Sequence, residues 1–139
     1  MPKALSWRDK MAVARQPKKV LLDKPFAGIP AGSLLLVGTP MMMQTYIDSI
    51  PAGETRTIVR LRRDLARAAK CDATCPVSTA VFIRMVAEAA IQQLNDGADA
   101  LEVTPFWRVI EPGSAIAKKL PIDGEWLNAK RAGEAVGRQ

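Results

Sequence analysis

The most informative stretch of this chain is Thr104-Pro105-Phe106-Trp107-Arg108-Val109-Ile110. It lies in an apolar and partly β-branched segment, residues 101–110, which predicts a strand or an extended segment. Its two adjacent aromatic side chains are either core residues or a stacking face. Arg108 either stacks on them or pairs with Glu111. Because the stretch has neither a thiol nor an imidazole, it offers neither a thiolate nor the neighbouring base that would activate one.

Two helices joined by a turn are predicted before this stretch. The break at Pro51-Ala52-Gly53 and the following Glu54-Thr55 lead into a helix that ends at Ala69. Its apolar stripe consists of Ile58, Leu61 and Leu65. A turn at residues 72–76 follows, and the strongest helical pattern then spans residues 77–94. Ser78 is the candidate cap of this second helix, and its predicted apolar side is Val81, Met85, Ala89 and Gln92.

Taken in order, these blocks resemble the DNA-binding domain of the O6-alkylguanine-DNA alkyltransferases over roughly residues 42–134. That family reads Pro-Cys-His-Arg-Val where this chain has residues 105–109, so Phe106 stands at the position of the reactive Cys and Trp107 at that of the His. Residues 50–57 resemble the family's Ile-Pro-x-Gly-x-Thr segment. Residues 124–131, with the pair Lys130-Arg131, resemble its closing helix.

The resemblance implies a single winged-helix-like domain that is mainly α with a small β element. It implies a non-catalytic, alkyltransferase-like protein that binds duplex DNA and recognises damaged or alkylated bases, without metal or cofactor. The implied remnant of the active-site pocket is Pro105, Phe106, Trp107 and Arg108. The implied DNA-binding residues are Thr55, Arg56, Thr57, Arg60, Arg62, Arg63 and Arg84.

Two positions depart from the family where it extrudes a nucleotide from the duplex. Ile58 stands where the family has a Tyr, and Ala80 stands where it has the Arg that fills the vacated space. Arg84 is the only Arg on the predicted recognition helix. It is either a surface charge or a side chain that enters a groove or replaces an everted base.

Composition favours a polyanionic partner. The 139 residues suffice for one ordinary domain, and the formal net charge is +6. Residues 56–70 contain six basic residues and only one acidic residue, Asp64. This excess of positive charge indicates either a solvated helix face or a phosphate-contact surface. The chain has no apolar run long enough to span a membrane and no pattern of a secretory signal, so a cytoplasmic protein is expected.

The N-terminal part is predicted to be an arm with a short β element, residues 1–40, followed by the helix-turn-helix domain, residues 41–139. Trp7 and Met11 have helical spacing within residues 1–24, which indicates a short helix or arm. Residues 34–37 predict a strand. Thr39 is the expected N-cap and Pro40 the first residue of a helix over 41–49, whose apolar side would be Met42, Tyr46 and Ile50.

Cys71 and Cys75 most simply are two ordinary thiols, since two Cys without any His cannot complete a zinc site in one chain. A redox-sensitive pair and an enzyme that uses one of these thiols are weaker alternatives. The main alternative to DNA binding is a protein-interaction or regulatory module, with residues 41–43 and Trp126 on the partner surface. The chain is expected to be a monomer.

Overall fold

The computed structural model describes residues 16–137, which form a single small domain of four helices and a three-stranded sheet. The predicted helical spacing of Trp7 and Met11 lies outside the described residues. The predicted small β element is present, and the fold as a whole is mixed α and β. The helices are α1 (Pro40–Asp48), α2 (Ile58–Ala68), α3 (Pro76–Asn95) and α4 (Gly124–Gly137), and the strands are β1 (Lys18–Leu21), β2 (Leu34–Val37) and β3 (Ala73–Thr74).

The sheet has β2 at its centre, as expected for its most apolar strand. β1 pairs with β2 antiparallel, and β3 pairs with β2 parallel. Leu35 and Leu36 point to opposite faces of the sheet and both are buried. Every residue of β1, in contrast, is exposed. Residues 18–21 are thus a strand, whereas the sequence predicted an arm or helix there. The division of the chain at residue 40 stays a prediction.

Helix α1 begins as predicted, because Thr39 Oγ1 accepts a hydrogen bond from the backbone N–H of Met42 (3.1 Å) and Pro40 occupies the first turn. Its buried face is centred on Met43 and Ile47, which are fully buried. The predicted centre at Met42 and Tyr46 was therefore wrong by one residue. Those two side chains lie half-buried beside the core.

Helices α2 and α3 are joined by residues 69–75, and β3 lies within this connection. Helix α2 begins at Ile58, later than predicted, because Thr57 Oγ1 caps it through the N–H of Arg60 (3.0 Å). Helix α3 begins at Pro76 after Cys75 at the N-cap, whose side chain makes no capping bond. The prediction that Ser78 caps α3 was wrong, since Ser78 lies inside the first turn and its Oγ is buried without a hydrogen-bond partner.

The core gathers apolar side chains from α1, α2, α3, α4 and the segment 103–120. Val81 is 52% exposed, so the predicted apolar side of α3 was wrong at this position. The true buried face is wider, because α3 is covered on several sides. The fully buried residues of α3 are Thr79, Ile83 and Ala87, and Phe82, Met85, Val86, Ala90 and Ile91 are nearly as buried.

Residues 101–110 are not a strand. They form two 3₁₀ turns, Ala100–Glu102 and Phe106–Arg108, because the backbone bonds locally: the N–H groups of Val109 and Ile110 both donate to the Phe106 carbonyl. Val103 to Trp107, together with Val109 and Ile110, are nevertheless buried. The apolar composition of this segment therefore reflects burial rather than a sheet ladder.

Candidate functional site

A cluster of Arg108, Trp107 and Glu134 lies at the centre of the predicted remnant pocket. Arg108 Nε and Nη2 each donate to the Glu134 carboxylate at 2.9 Å, and Trp107 Nε1 donates to its Oε1 at 2.6 Å. The remaining arm of the guanidinium, Nη1, donates to the Ile50 carbonyl at 2.6 Å. We call these groups the Arg108–Glu134 cluster. The acidic partner of Arg108 is thus Glu134 on α4. Glu111, which the sequence suggested as its partner, is exposed.

Glu134 is held in its charged form. Burial alone raises the pKa of this carboxyl, but the hydrogen bonds from Arg108, Trp107 and the Gly53 N–H more than offset it, so the pKa lies below its ordinary value. Planar bidentate Arg–carboxylate geometry makes such a pair both strong and directional. The cluster therefore acts as a fixed clamp between α4 and the 3₁₀ turn 106–108.

The same cluster holds the loop that precedes α2. Besides the bond to Ile50, the Gly53 N–H approaches Glu134 Oε2 at 3.4 Å, and the Arg56 N–H donates to the Arg108 carbonyl at 2.8 Å. Gly53 has a φ of +87°, a left-handed conformation that favours glycine. It occupies the third position of the turn closed by the Glu54 N–H and the Pro51 carbonyl. The cluster thus fixes the chain immediately before the first residue of α2.

Phe106, which the predicted resemblance aligns with a reactive Cys, has a fully buried ring. It stacks on Trp126 with ring centroids 5.7 Å apart and planes 9° apart, and it meets Trp107 edge to face at 5.4 Å. Trp107 is 3% exposed. Neither side chain offers an open stacking face to a base. Trp126 is half-buried in this packing, which leaves only part of it for a partner surface.

Both members of the predicted Lys-Arg pair on α4 contact this region. Lys130 Nζ lies 5.7 Å from the centroid of the Trp107 ring and 5.6 Å from that of Trp126. Arg131 Nη1 donates to the Ile110 carbonyl at 3.2 Å. The pair therefore joins α4 to the end of the stretch 104–110.

A polar cavity of about 440 Å³ lies beside the cluster and is lined in part by Pro105, Trp107 and Arg108. Gln44 on α1 also lines the cavity, and its side-chain N–H donates to Thr104 Oγ1 at 3.1 Å. Leu101, 94% exposed, stands at its edge. Three of the four predicted pocket residues thus line one cavity, while Phe106 is absent from its wall.

The solvent-facing side of α2 carries Arg60, Arg63 and Arg67, which we call the arginine face. Their spacing of three and four residues puts them on one side of the helix, and all three are exposed. Arg60 Nε lies 3.6 Å from the Asp64 carboxylate. Arg63 and Arg67 form neither an ion pair nor a side-chain hydrogen bond within residues 16–137. Most of the charge on this face is therefore directed to solvent.

The other predicted DNA-binding residues before and on α2 have different environments. Arg56 pairs with Glu54 at 2.9 Å and its side chain is 16% exposed. Thr57 is engaged as the N-cap of α2, and Thr55 is exposed. Arg62 is half-buried, and its Nε is buried without a hydrogen-bond partner. Arg60 and Arg63, together with Arg67, are thus brought to one surface, while Arg56 and Arg62 are turned away from it.

An isolated hydrogen bond connects α1 to the arginine face. Tyr46 Oη donates to Asp64 Oδ2 at 2.6 Å. Burial, this hydrogen bond and the Asp64 charge raise the pKa of Tyr46 to about 12. The bond from Tyr46 also lowers the pKa of Asp64, and neighbouring arginines, Arg60 first, add to that effect although burial opposes it. Asp64 is the one acidic residue within residues 56–70, and its carboxylate is hydrogen-bonded to Tyr46 of α1.

Helix α3 exposes Val77 (58%) and Val81 (52%) in its first half. Arg84 continues that side, with a side chain that is 40% exposed and an Nε 3.6 Å from the Glu88 carboxylate. Ala80, which the predicted resemblance aligns with an intercalating Arg, is half-buried. The sole Arg of this helix thus lies one turn beyond that register and has an acidic partner.

The two thiols are not a bonded pair. Cys71 and Cys75 are both free, and Cys75 is buried. Within residues 16–137 no three His, Cys, Asp or Glu side chains are grouped in a way that could hold a metal ion.

No protein-family model matches this chain, and neither a curated protein nor a solved structure matches it. Over residues 16–137, no helix is long and apolar enough to cross a membrane.

Sequence reasoning missed Glu134 and the Tyr46–Asp64 bond. Glu134 is 26 residues from Arg108, and a single acidic residue on a polar helix gives no signal of its own. Its position eight residues after Trp126, on the face of α4 that carries Lys130, was the only available hint. The Tyr46–Asp64 bond joins two helices whose relative position follows from core packing.

Proposed function

We propose that this chain is a non-catalytic, alkyltransferase-like protein that binds duplex DNA. The observation that carries the proposal is the arginine face of α2. Arg63 and Arg67 are exposed and directed to solvent, and Arg60 lies beside them. Cations at such spacing neutralise phosphates, which positions a duplex without reading its sequence.

The proposed fold is a winged-helix-like form of the helix-turn-helix. In support, α2 and α3 are consecutive, a short connection with one strand joins them, and α3 exposes Val77, Val81 and Arg84 along one side of its first half. In a helix-turn-helix protein the second helix is the recognition helix, and its exposed side enters the major groove of DNA. The first helix crosses the DNA backbone. Here α3 would be the recognition helix and α2 the helix that crosses the backbone. The clamp on the loop at Ile50 and Gly53 holds α2 in its orientation.

Loss of alkyl transfer is the second part of the proposal. A transferred alkyl group needs an activated thiolate, and the fully buried Phe106 ring occupies the matching position with Trp107 beside it. Incubation with a duplex that contains O6-methylguanine should leave the mass of the protein unchanged. Stoichiometric methylation of Cys71 or Cys75 would overturn this part.

The DNA-binding part is tested by titrating a short duplex at several salt concentrations. Each lost phosphate contact lowers the slope of log affinity against log salt by about 0.9. The double variant Arg63→Ala/Arg67→Ala should therefore reduce the slope by about 1.8. The matched control is Lys118→Ala/Lys119→Ala, which removes two exposed charges from a different element. A salt-independent parent, or equal loss in both variants, contradicts the proposal.

Recognition of a damaged base is the finest part of the proposal, and Arg84 is its candidate residue. To enter the duplex, Arg84 has to leave the Glu88 carboxylate. If it does, Arg84→Ala reduces the preference for O6-methylguanine or mismatched duplex more than it reduces binding to intact duplex, since eversion costs least where pairing is weak. Equal binding of both duplexes by the parent and the variant would leave backbone binding alone.

The second candidate function is a protein-interaction module, favoured by one observation. A shallow apolar groove of about 410 Å³ lies between α1 and α2 and is lined by Met41, Met42, Tyr46 and Leu65. Met41 is 51% exposed. Methionine-rich surfaces adapt to varied partners. If this is the function, the affinity of the chain for duplex DNA should not depend on salt, and the Arg63→Ala/Arg67→Ala variant should behave like the parent in the duplex titration. Phosphate contact predicts the opposite result for both measurements.

A further inference from the structure

We propose that β1 is a second phosphate-contact surface and that Lys19 is its contact residue. The inference rests on the proposed DNA binding and extends it from the arginine face of α2 to the three-stranded sheet. It assigns opposite outcomes to two adjacent lysines, Lys18 and Lys19, since they lie on opposite faces of the same strand.

The register of the sheet decides which lysine is on the side of α2. Lys19 is the partner of Leu36 in β2, and Leu36 is the partner of Thr74 in β3. Partners in neighbouring strands project from the same face of a sheet. Lys19, Leu36 and Thr74 therefore form one row across the sheet.

Thr74 identifies the element that covers this row. Its Oγ1 donates to the Arg62 carbonyl of α2 at 2.7 Å, and its side chain is buried. The row of Thr74 thus lies against α2 at one end and reaches Lys19 at the other. Lys18 is the partner of Val37 and projects from the opposite face.

Lys19 is free to contact a polyanion. All four residues of β1 are exposed, and neither Lys18 nor Lys19 forms an ion pair within residues 16–137. Two strand spacings, roughly 10 Å in all, separate the backbone of β1 from that of β3 beneath α2. Each DNA strand presents a phosphate every ~3.4 Å along the helix axis, so one duplex can contact both α2 and Lys19.

The flank of α2 that faces the sheet adds charge between these two surfaces. The backbone carbonyl of Arg62 lies on this flank, where it accepts from Thr74 Oγ1, and the Arg62 side chain is half-buried. The exposed Arg63 follows it in sequence, on the adjoining side of the helix. Exposed positive charge therefore lies on the arginine face and at Lys19, with the half-buried Arg62 between them. Lys18 projects from the opposite face of the sheet.

The test compares Lys19→Ala with Lys18→Ala in duplex titrations at several salt concentrations. Both variants lose one exposed charge from the same strand, so both should melt like the parent. Lys19→Ala should reduce the salt slope by about 0.9 and weaken binding at low salt several-fold. Lys18→Ala should leave both quantities at the parent's value. Lys19→Glu should weaken binding more than Lys19→Ala.

The outcomes separate this inference from the proposed function. If Arg63→Ala/Arg67→Ala reduces the slope and the two lysine variants behave alike, DNA binding stands and the role of Lys19 is overturned. The same holds if Lys18→Ala has the larger effect. If the parent fails to bind the duplex at low salt, the proposed function itself is overturned, and the role of Lys19 with it.

Discussion

The Arg108–Glu134 cluster and the arginine face of α2 both depend on arginine side chains, but the arginines have opposite environments in the two regions. Arg108 directs its guanidinium to a carboxylate and a backbone carbonyl, and it is largely withdrawn from solvent. Arg63 and Arg67 lie on a helix surface and face solvent. An arginine whose donors are satisfied within the fold holds structure, whereas an arginine whose donors face water is available to a partner.

The comparison also explains how the two regions depend on each other. The cluster holds Ile50, Gly53 and Arg56, which immediately precede the helix that carries the arginine face. Damage to the cluster should therefore lower stability and also displace the arginine face. Damage to the arginine face should leave the cluster intact.

The largest expected effect is at Phe106. Phe106→Ala leaves a cavity among Trp107, Trp126 and the core, and we expect it to lower the free energy of unfolding by about 3–5 kcal/mol. Phe26→Ala is the matched control, since that ring is 40% exposed and should cost less than about 1 kcal/mol. Urea denaturation measures both. Similar values for the two variants would mean that the site behind Trp107 is loosely packed.

The next effect is at Glu134. Glu134→Ala leaves Arg108 and the Trp107 N–H without their acceptor, and the expected loss of stability is about 2–3 kcal/mol, less than for a fully buried pair. Glu125→Ala on the same helix removes an exposed carboxylate and should change little. If both variants unfold like the parent, the cluster contributes nothing and the contrast with the arginine face fails.

The same carboxyl gives a pH dependence with a defined sign. Because the pKa of Glu134 is lower in the folded protein than in the unfolded chain, its contribution is complete above the ordinary Glu pKa of about 4.3 and is lost as the pH falls through the folded value. Glu134→Gln should flatten the acid limb of stability between about pH 5 and pH 2. An acid limb as steep as the parent's would contradict the lowered pKa.

A smaller effect concerns Tyr46, the single tyrosine of the chain, so absorbance reports its ionisation directly. Its pKa of about 12 should move towards the ordinary value of about 10 in Asp64→Asn, since the negative charge that opposes phenolate formation is removed. Circular dichroism at each pH confirms that the fold persists. A parent midpoint near 10 with native dichroism would show that the Tyr46–Asp64 bond is absent in solution.

The smallest effect on stability is expected on the arginine face. Arg63→Ala and Arg67→Ala should each change the free energy of unfolding by no more than about 0.5 kcal/mol, because exposed charges contribute little to folding. Thermal melting alongside Glu134→Ala measures the contrast. A loss as large as that of Glu134→Ala would assign these arginines to structure and remove the main support for DNA binding.

Local patterns predicted the regular elements well. The Thr39-Pro40 start of α1, the strand at residues 34–37 and the two helices on either side of residues 69–75 follow from capping chemistry and apolar spacing. Residues 101–110 were wrongly predicted as extended, since buried 3₁₀ turns and buried strands share the same apolar composition. Composition reports burial, while hydrogen-bond geometry decides the backbone conformation.

The sequence by itself determined where the helices lie, that the tract 56–70 is basic, and that residues 104–110 contain neither a Cys nor a His. Only the tertiary structure decided the roles of the individual arginines. Arg108 meets Glu134 from α4, while Arg63 meets solvent. It likewise decided that Lys19 and Lys18 lie on opposite sides with respect to α2, which depends on the register of all three strands. These roles are set by partners distant in sequence, and their positions follow from packing of the whole domain.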